Sequence, residues 1–290
     1  MINAQLPLFE LEEVENQVLK VVQSKPLRKI KSDNVRPPLR YPGSKYNASK
    51  FILPHIDILH NEYREPFLGS GAIFFTKTKS EINWLNDIDE ELILTFRVIS
   101  DPKKRELLLN KLSIYTPTKE NFELLKNTVF TDEIDRAYRY FTLNRTAYSG
   151  IMNLPNFGFH PTKSVQPEKW PKRIEDSGKK LNGVRLTRLD YEEVILTPSV
   201  NKVLIFIDPP YFAADQKRAY LHSFSLEEHY RLLGILKSCS FNFCLTYDNC
   251  PEIKEMYSWA NVFEYNWRYH TANSNATDRK MGRELIITNY

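Results

Sequence analysis

Val203-Leu204-Ile205-Phe206-Ile207-Asp208-Pro209-Pro210-Tyr211 decides how this chain is read. The apolar, β-branched-rich run predicts a fully buried strand. Two consecutive prolines then stop it, because proline can neither donate to a sheet ladder nor continue into a helix interior. The acid and the aromatic ring are thereby displayed at the carboxyl end of a central strand. In open α/β sheets that edge is where ligands bind. A carboxylate, a proline carbonyl with no competing N–H beside it and an aromatic face suit a planar amine. The two oxygens accept hydrogen bonds from the amino group and the ring stacks on its plane. On these four residues alone, the plain alternative is a strand-ending turn with an ordinary tyrosine.

Working outward, strands and helices alternate from Leu39. Tyr63 to Phe67, Ile82 to Leu85, Val184 to Thr187 and Phe243 to Tyr247 are further strand candidates. Helical stretches follow from Ala72, over Glu90 to Ile99, near Tyr191 to Ile195, over Ser225 to Lys237 and over Pro251 to Trp259. Such alternation predicts βαβ units and an α/β fold with a mainly parallel sheet. Val262 to Trp267 and Glu284 to Tyr290 have no helix between them and read as an antiparallel pair closing that sheet. Residues 101–180 break the rhythm. Leu107, Leu108, Leu109 and Leu112, then Phe122, Leu124 and Leu125, then Ile134, Tyr138 and Phe141 recur at helical spacing, and a loop-rich stretch runs from Gly150 to Trp170. The expected organisation is an arm over residues 1–36, an α/β domain from 37–100 and 181–290, and a helical and loop-rich insertion over 101–180.

Composition narrows the class. The chain has 290 residues, 42% of them hydrophobic, enough for one large core or two modest ones. A net charge of +4 fits a nucleic-acid partner without demanding one. Cys239, Cys244 and Cys250 form no C-x-x-C pair, and the histidines form no H-E-x-x-H, so neither a metal site nor a disulfide framework is expected. Without an apolar run of membrane-spanning length or a secretory leader, the expectation is a cytoplasmic, monomeric protein.

Glycine is scarce, nine in the whole chain, so each should mark a turn or a close backbone approach. Gly69 and Gly71 lie in Glu65-Pro66-Phe67-Leu68-Gly69-Ser70-Gly71, at a strand-to-helix junction where a ligand can reach the helix N-terminus. The stretch lacks G-x-G-x-x-G and the Lys-Ser/Thr of a P-loop. About twenty residues on, Asn86-Asp87-Ile88-Asp89 follows the second strand, where an acid commonly accepts ribose hydroxyls. A helix N-cap is the other role open to Asn86 or Asp87.

Taken together these blocks resemble the D12 class of DNA adenine-N6 methyltransferases. Arg40-Tyr41-Pro42-Gly43-Ser44-Lys45 is similar to that family's N-terminal cofactor-loop motif. Arg64 to Gly71 is similar to its glycine-rich loop for S-adenosyl-L-methionine (AdoMet). Asn86-Asp87-Ile88 resembles its ribose-binding segment, and Leu143-Asn144-Arg145-Thr146-Ala147-Tyr148-Ser149-Gly150 its segment before the DNA-reading hairpin. Asp190-Tyr191 resembles the pair beside the cofactor adenine, Asp208-Pro209-Pro210-Tyr211 the catalytic tetrapeptide, and Glu284 to Tyr290 the last strand. The blocks occur in the family's order over about residues 36–290. Asn153 to Val165 lacks the F-N-V-P-F/Y-G pattern of GATC-type members, which leaves the recognised sequence open.

The resemblance implies a Rossmann-like fold and methyl transfer from AdoMet to the exocyclic amine of an adenine flipped out of double-stranded DNA. It implies catalytic roles for Asp208, Pro209, Pro210 and Tyr211. It implies cofactor contacts from Tyr41, Gly43, Lys45, Phe67, Gly69, Gly71, Asp87, Ile88, Asp190, Tyr191 and Asp208. DNA contacts are implied for Asn144, Arg145 and Tyr148, and Arg279 and Lys280 in the polar 271–280 loop are placed to hold phosphate. The rival activities are methylation of RNA adenine or of cytosine N4, and a non-catalytic DNA-binding protein of the same fold. Gln5-Leu6-Pro7-Leu8-Phe9 resembles the short peptide by which bacterial DNA-processing proteins dock on the replication sliding clamp.

Overall fold

All five residues of Val203–Ile207 are buried, and their side chains alternate between two cores. Leu204 and Phe206 join the larger apolar cluster with the helical insertion. Val203, Ile205 and Ile207 join a second cluster with the C-terminal helices. A strand buried on both faces needs helices on both, which is why its sequence is continuously apolar rather than alternating. Burying one such side chain is worth about 1.5–3 kcal/mol.

The computed structural model describes residues 32–213, 224–268 and 281–290. Its strands are β1 (Glu62–Glu65), β2 (Ile82–Asn86), β3 (Arg185–Thr187), β4 (Val203–Ile207), β5 (Asn242–Asp248), β6 (Asn261–Arg268) and β7 (Met281–Thr288). They form one seven-stranded sheet in the order β3-β2-β1-β4-β5-β7-β6. β1 pairs in parallel with both β2 and β4, β2 with β3, and β4 with β5. β7 inserts between β5 and β6, antiparallel to each. The fold is therefore the expected Rossmann-like one, mainly parallel with an antiparallel C-terminal pair. Strand order reverses between β1 and β4, and a crevice opens there at the carboxyl ends of the strands.

The first strand starts earlier than its apolar pattern suggests. β1 includes the buried charges Glu62 and Arg64, which pair at 2.6 Å. The Arg64 guanidinium also donates to the carbonyls of Val194 and Thr197 and lies over the rings of Trp84 and Phe241. The strand stops before Pro66, which has no N–H to give the ladder.

Two short helices serve the first half of the sheet: α1 (Ser49–Ile56) and α2 (Ala72–Thr76). Then come α3 (Glu90–Ser100), α4 (Pro102–Ser113), α5 (Lys119–Asn127), α6 (Glu133–Thr146) and α7 (Trp170–Leu181). α8 (Tyr191–Leu196), α9 (Leu226–Ser238) and α10 (Pro251–Met256) follow among the described residues. In α6, Ile134, Ala137, Tyr140 and Phe141 bury one face, and Asp132 caps the first turn by accepting from Ile134 N and Asp135 N. Tyr140 donates its hydroxyl to Asp89, which itself caps α3, so insertion and sheet layer are tied at the cavity end. Trp170, fully buried against Tyr115 and Phe141, anchors the end of the loop-rich stretch. Ser32 to Val35 run along the end of α2: the Ser32 hydroxyl and Asn34 N donate to Thr76 O, and Val35 N donates to Phe75 O.

Candidate active site

At the reversal of strand order lies a cavity of about 290 Å³. Its walls come from the Tyr41–Lys45 loop, the Glu65–Ser70 loop, the Asn86–Asp89 turn, Leu189 to Tyr191 and the end of β4. Tyr41, Gly43, Lys45, Phe67, Gly69, Asp87, Ile88, Asp190, Tyr191 and Asp208 all face it, so blocks spread over most of the chain meet in one place.

Gly69 is in the left-handed region at φ 48°, and a Cβ there would meet the Tyr41 ring at 3.0 Å. The two cofactor loops thus close on each other because residue 69 has no side chain. Ser44 and Ser70 add a hydroxyl–hydroxyl bond of 2.8 Å across the same junction. Gly71 departs from its expected role. It does not line the cavity; at φ 67° it starts α2, and its bare Cα accommodates Leu68 and Phe75.

Asp87 accepts from Gly69 N at 2.8 Å through one oxygen and from Asp89 N at 3.0 Å through the other. The N-cap of α3 is Asp89, which removes the helix-cap alternative for Asp87. Burial pushes the Asp87 carboxyl up to about 6, against the backbone donors. Asn86 is spent structurally: its amide donates to the carbonyls of Pro66 and Leu189, fixing both loops. Asp190 caps α8 and pairs with Arg231 at 2.8 Å. Phe67, Tyr191 and Phe224 pack ring to ring at 5.0–5.8 Å along the cavity, a hydrophobic slot for a flat heterocycle.

At the other end stands Asp208. Its Oδ1 accepts from Thr246 Oγ1 at 2.6 Å and pairs with Lys45 Nζ at 2.9 Å. The Lys45 ammonium also donates to Gly43 O and sits 4.6 Å from the Tyr211 ring centroid. Pro209 is buried, Pro210 lines the cavity and Tyr211 is half-buried beside it. Directly after the tetrapeptide, Phe212 N and Ala213 N both donate to Asp248 at the end of β5. The lining suits AdoMet: an aromatic slot for its base, a carboxylate for its ribose hydroxyls, and Lys45 and the acids for the charged methionine end.

Residues 41–271, most of the chain, match the D12 class N6 adenine-specific DNA methyltransferase family. The chain belongs to that family. It is a DNA adenine-specific methyltransferase, and its methyl donor is AdoMet. It is 26% identical to Type II methyltransferase M1.LlaDCHI of Lactococcus lactis subsp. cremoris, over 89% of this chain and 96% of that one. It is also 26% identical to Type II methyltransferase M.MjaIII of Methanocaldococcus jannaschii, over 61% of this chain and 69% of that one. Among solved structures, rRNA methyltransferase aviRa from Streptomyces viridochromogenes aligns at TM-score 0.37 and 12% identity, over 93% of this chain and 88% of that one. That likeness is too loose to bear on fold or substrate.

Within this family member, the expected DNA contacts fall into different places. Asn144 is a correction. Its side chain is fully buried; Oδ1 accepts from Arg40 N, and Nδ2 donates to Arg40 O at 2.7 Å and to Gly150 O at 3.3 Å. It pins the cofactor loop to α6 and has no face left for DNA. Arg145 is also buried, but its Nε has no hydrogen-bond partner among the described residues. It lines a groove with Arg36, Arg40 and Arg173, separated from the cavity by the Tyr41–Lys45 loop. Burial and the charges of Arg173 and Arg40 bring its guanidinium down to about 9. Tyr148 is 49% exposed. Arg279, Lys280 and Gln5 to Phe9 lie outside the described residues.

Sequence reasoning missed Glu65, Phe224, Thr246 and Glu284. Glu65 is fully buried at the cavity wall, takes the Tyr63 hydroxyl at 2.8 Å and is pushed by burial up to about 8. Thr246 and Glu284 act across strand boundaries on the tetrapeptide, and nothing in their local sequence signals it. Among the described residues, no group of three or more His, Cys, Asp or Glu could hold a metal ion, and no helix is long and apolar enough to cross a membrane.

Asn144→Ala leaves the Arg40 N–H and C=O without partners. It is expected to lower stability by about 2–3 kcal/mol and to weaken AdoMet binding through the loosened loop. Urea unfolding checks this; an unchanged midpoint would show that the Arg40 anchor adds nothing to stability.

Proposed function

We propose that Asp208 and the Pro209 carbonyl hold the two N6 hydrogens of a flipped adenine while Tyr211 stacks on its ring. The observation that carries this reading is the placement of Asp208: at the end of the central strand, on the wall of the cofactor cavity, with Tyr211 beside it. Adenine N6 is a weak nucleophile because its lone pair is conjugated into the ring. Two acceptors on its hydrogens turn that lone pair toward the cavity as the nitrogen pyramidalises, so positioning and electrostatics carry the catalysis. Bound AdoMet would supply an electrophilic methyl group with a neutral thioether as its leaving group, and the methylated N6 then gives up a proton to solvent. Thr246 orients the carboxylate, and Pro210 fixes the turn. The target atom is out of reach inside a duplex, so the base leaves the stack. Lys45 stands on both groups that would grip the base, and its ammonium must give way as adenine enters.

On the cofactor side, Asp87 takes the ribose, Phe67, Tyr191 and Phe224 enclose the adenine, and Tyr41, Gly43 and Lys45 face the methionine portion. Arg145, with Arg36 and Arg173 beside it, takes phosphate, and exposed Tyr148 faces the duplex. The insertion over 101–180 supplies the reading surface. The two type II relatives support a place in a restriction-modification system. The test is DNA carrying 2-aminopurine at the methylated position, read with Tyr211→Ala so that no stacked ring quenches it: emission rises on binding if the base is extruded, and unchanged emission counts against the reading.

Clamp docking by Gln5 to Phe9 rests on sequence. Gln5 offers an amide, Pro7 stiffens an extended peptide, and Leu6, Leu8 and Phe9 are apolar anchors. A peptide of residues 1–15 titrated against purified clamp is expected to bind, and to lose binding with Leu8→Ala and Phe9→Ala. No binding at roughly tens of micromolar would end the idea.

A further inference from the structure

The Tyr211 hydroxyl donates to Oε2 of Glu284, a residue on β7 that lies 73 positions later and is 1% exposed. Glu284 is paired in register with Asp248 of β5. Asp248 in turn holds the backbone of Phe212 and Ala213 at 3.0 and 2.7 Å. The chain leaving the tetrapeptide is therefore clamped by β5, and the tip of the tyrosine ring by β7. A buried carboxylate is expensive unless it is hydrogen-bonded, and a phenol donating to a carboxylate makes a charge-assisted bond about twice as strong as a neutral one.

Geometry gives that bond a purpose. A tyrosine ring has two rotatable side-chain torsions, and the Tyr211 ring is only half-buried. On one side it packs near Tyr247, with centroids 6.1 Å apart. Toward the cavity lies the Lys45 ammonium, which also contacts Asp208. Fixing the hydroxyl end sets the long axis of the ring and so the plane offered to a base. Asp208 has its own brace in Thr246.

We propose that Glu284 is a positioning residue for methyl transfer: by accepting the Tyr211 hydroxyl it fixes the ring plane on which the flipped adenine stacks. This rests on the reading of Tyr211 as the stacking residue, and the experiment separates the two.

Four variants are compared, Glu284→Leu, Glu284→Gln, Tyr211→Phe and the double variant Tyr211→Phe/Glu284→Leu, with Tyr211→Ala as reference. Each is measured for single-turnover methyl transfer, AdoMet affinity, and emission of 2-aminopurine placed at a previously mapped target adenine. Glu284→Leu and Tyr211→Phe should each slow transfer about 10-fold, with AdoMet affinity within about 2-fold of the parent. Both should raise target emission, because a loosely held ring quenches the base less. The double variant should be no slower than the slower single one, since both remove the same bond. Glu284→Gln keeps an acceptor and should recover most of the rate.

Losses that multiply in the double variant would overturn the proposal, as would parent-like rate and emission in Tyr211→Phe. The Tyr211→Phe and Glu284→Gln arms stand even if Glu284→Leu fails to fold. If Tyr211→Ala itself leaves rate and emission unchanged, the stacking reading falls and the proposal with it. If Tyr211→Ala collapses transfer while Tyr211→Phe does not, only the positioning role is lost.

Discussion

Replacing Asp208 with alanine is expected to abolish methyl transfer while leaving AdoMet affinity within a few-fold of the parent. On the proposed reading the lost acceptor faces N6, where the geometry of the lone pair is set. Removing a charged acceptor at the reacting centre raises the barrier by about 3 kcal/mol or more, two orders of magnitude or more in rate. The substitution also strips Lys45 of its carboxylate and Thr246 of its acceptor. Asp208→Asn separates these effects. It preserves volume and can still accept from Thr246, but it then presents an amide N–H to the N6 hydrogens. It should be nearly as inactive as the alanine variant, and circular dichroism should show it folded. Turnover near the parent rate in either variant would remove Asp208 from the mechanism.

The second large effect is at Asp87, the residue proposed to take the ribose. Asp87→Ala is expected to raise the AdoMet dissociation constant by about ten- to a hundredfold, since a charged acceptor to a hydroxyl is worth roughly 1.5–3 kcal/mol. The pH dependence carries the sign. Burial raises the folded-state pKa to about 6 from an ordinary 3.8. A hydroxyl donor favours the ionised form, so AdoMet binding should release a proton near pH 6 and weaken as pH falls through it. Stability of the free protein runs the other way. The folded state holds this proton more tightly than the unfolded one, so the contribution of Asp87 to stability improves as pH falls toward 4 and is lost as pH rises through 6. Calorimetry at pH 5.5 and 7.5 on parent and Asp87→Asn checks both signs. Equal affinity at the two pH values, or an unchanged affinity in Asp87→Ala, would leave Asp87 as only a brace for the Gly69 loop.

What the sequence made legible was the strand set and the cofactor motifs. Val203–Ile207 and the C-terminal pair carry strong apolar patterns, and the Glu65–Gly71, Asn86–Asp89 and Asp208–Tyr211 blocks follow strand ends, where chain geometry leaves little choice of direction. The helices that escaped notice have physical reasons. α1 contains Pro54, which argues against a helix interior, and α7 buries Ser177 and Gly178 alongside Ile174 and Leu181, so its inner face looks polar. The site assignments that shifted are those where a polar residue is used internally. Asn144 reads like a DNA contact and is instead a double anchor for Arg40. Gly71 reads like a place for cofactor approach and is instead a left-handed helix start. Thr246 and Glu284 were invisible because their partners lie 38 and 73 residues away, and only β5 and β7 pairing beside β4 brings them together.

The central claim, Asp208-dependent methylation of adenine N6 in DNA, is tested most directly by nucleoside analysis. Purified protein is incubated with methyl-labelled AdoMet and unmethylated DNA, with RNA in a parallel reaction, and the products are digested to nucleosides. The account expects the label in N6-methyldeoxyadenosine, none in the RNA digest, and none with Asp208→Ala. Label in N4-methyldeoxycytidine or in RNA, or undiminished label with Asp208→Ala, would contradict it.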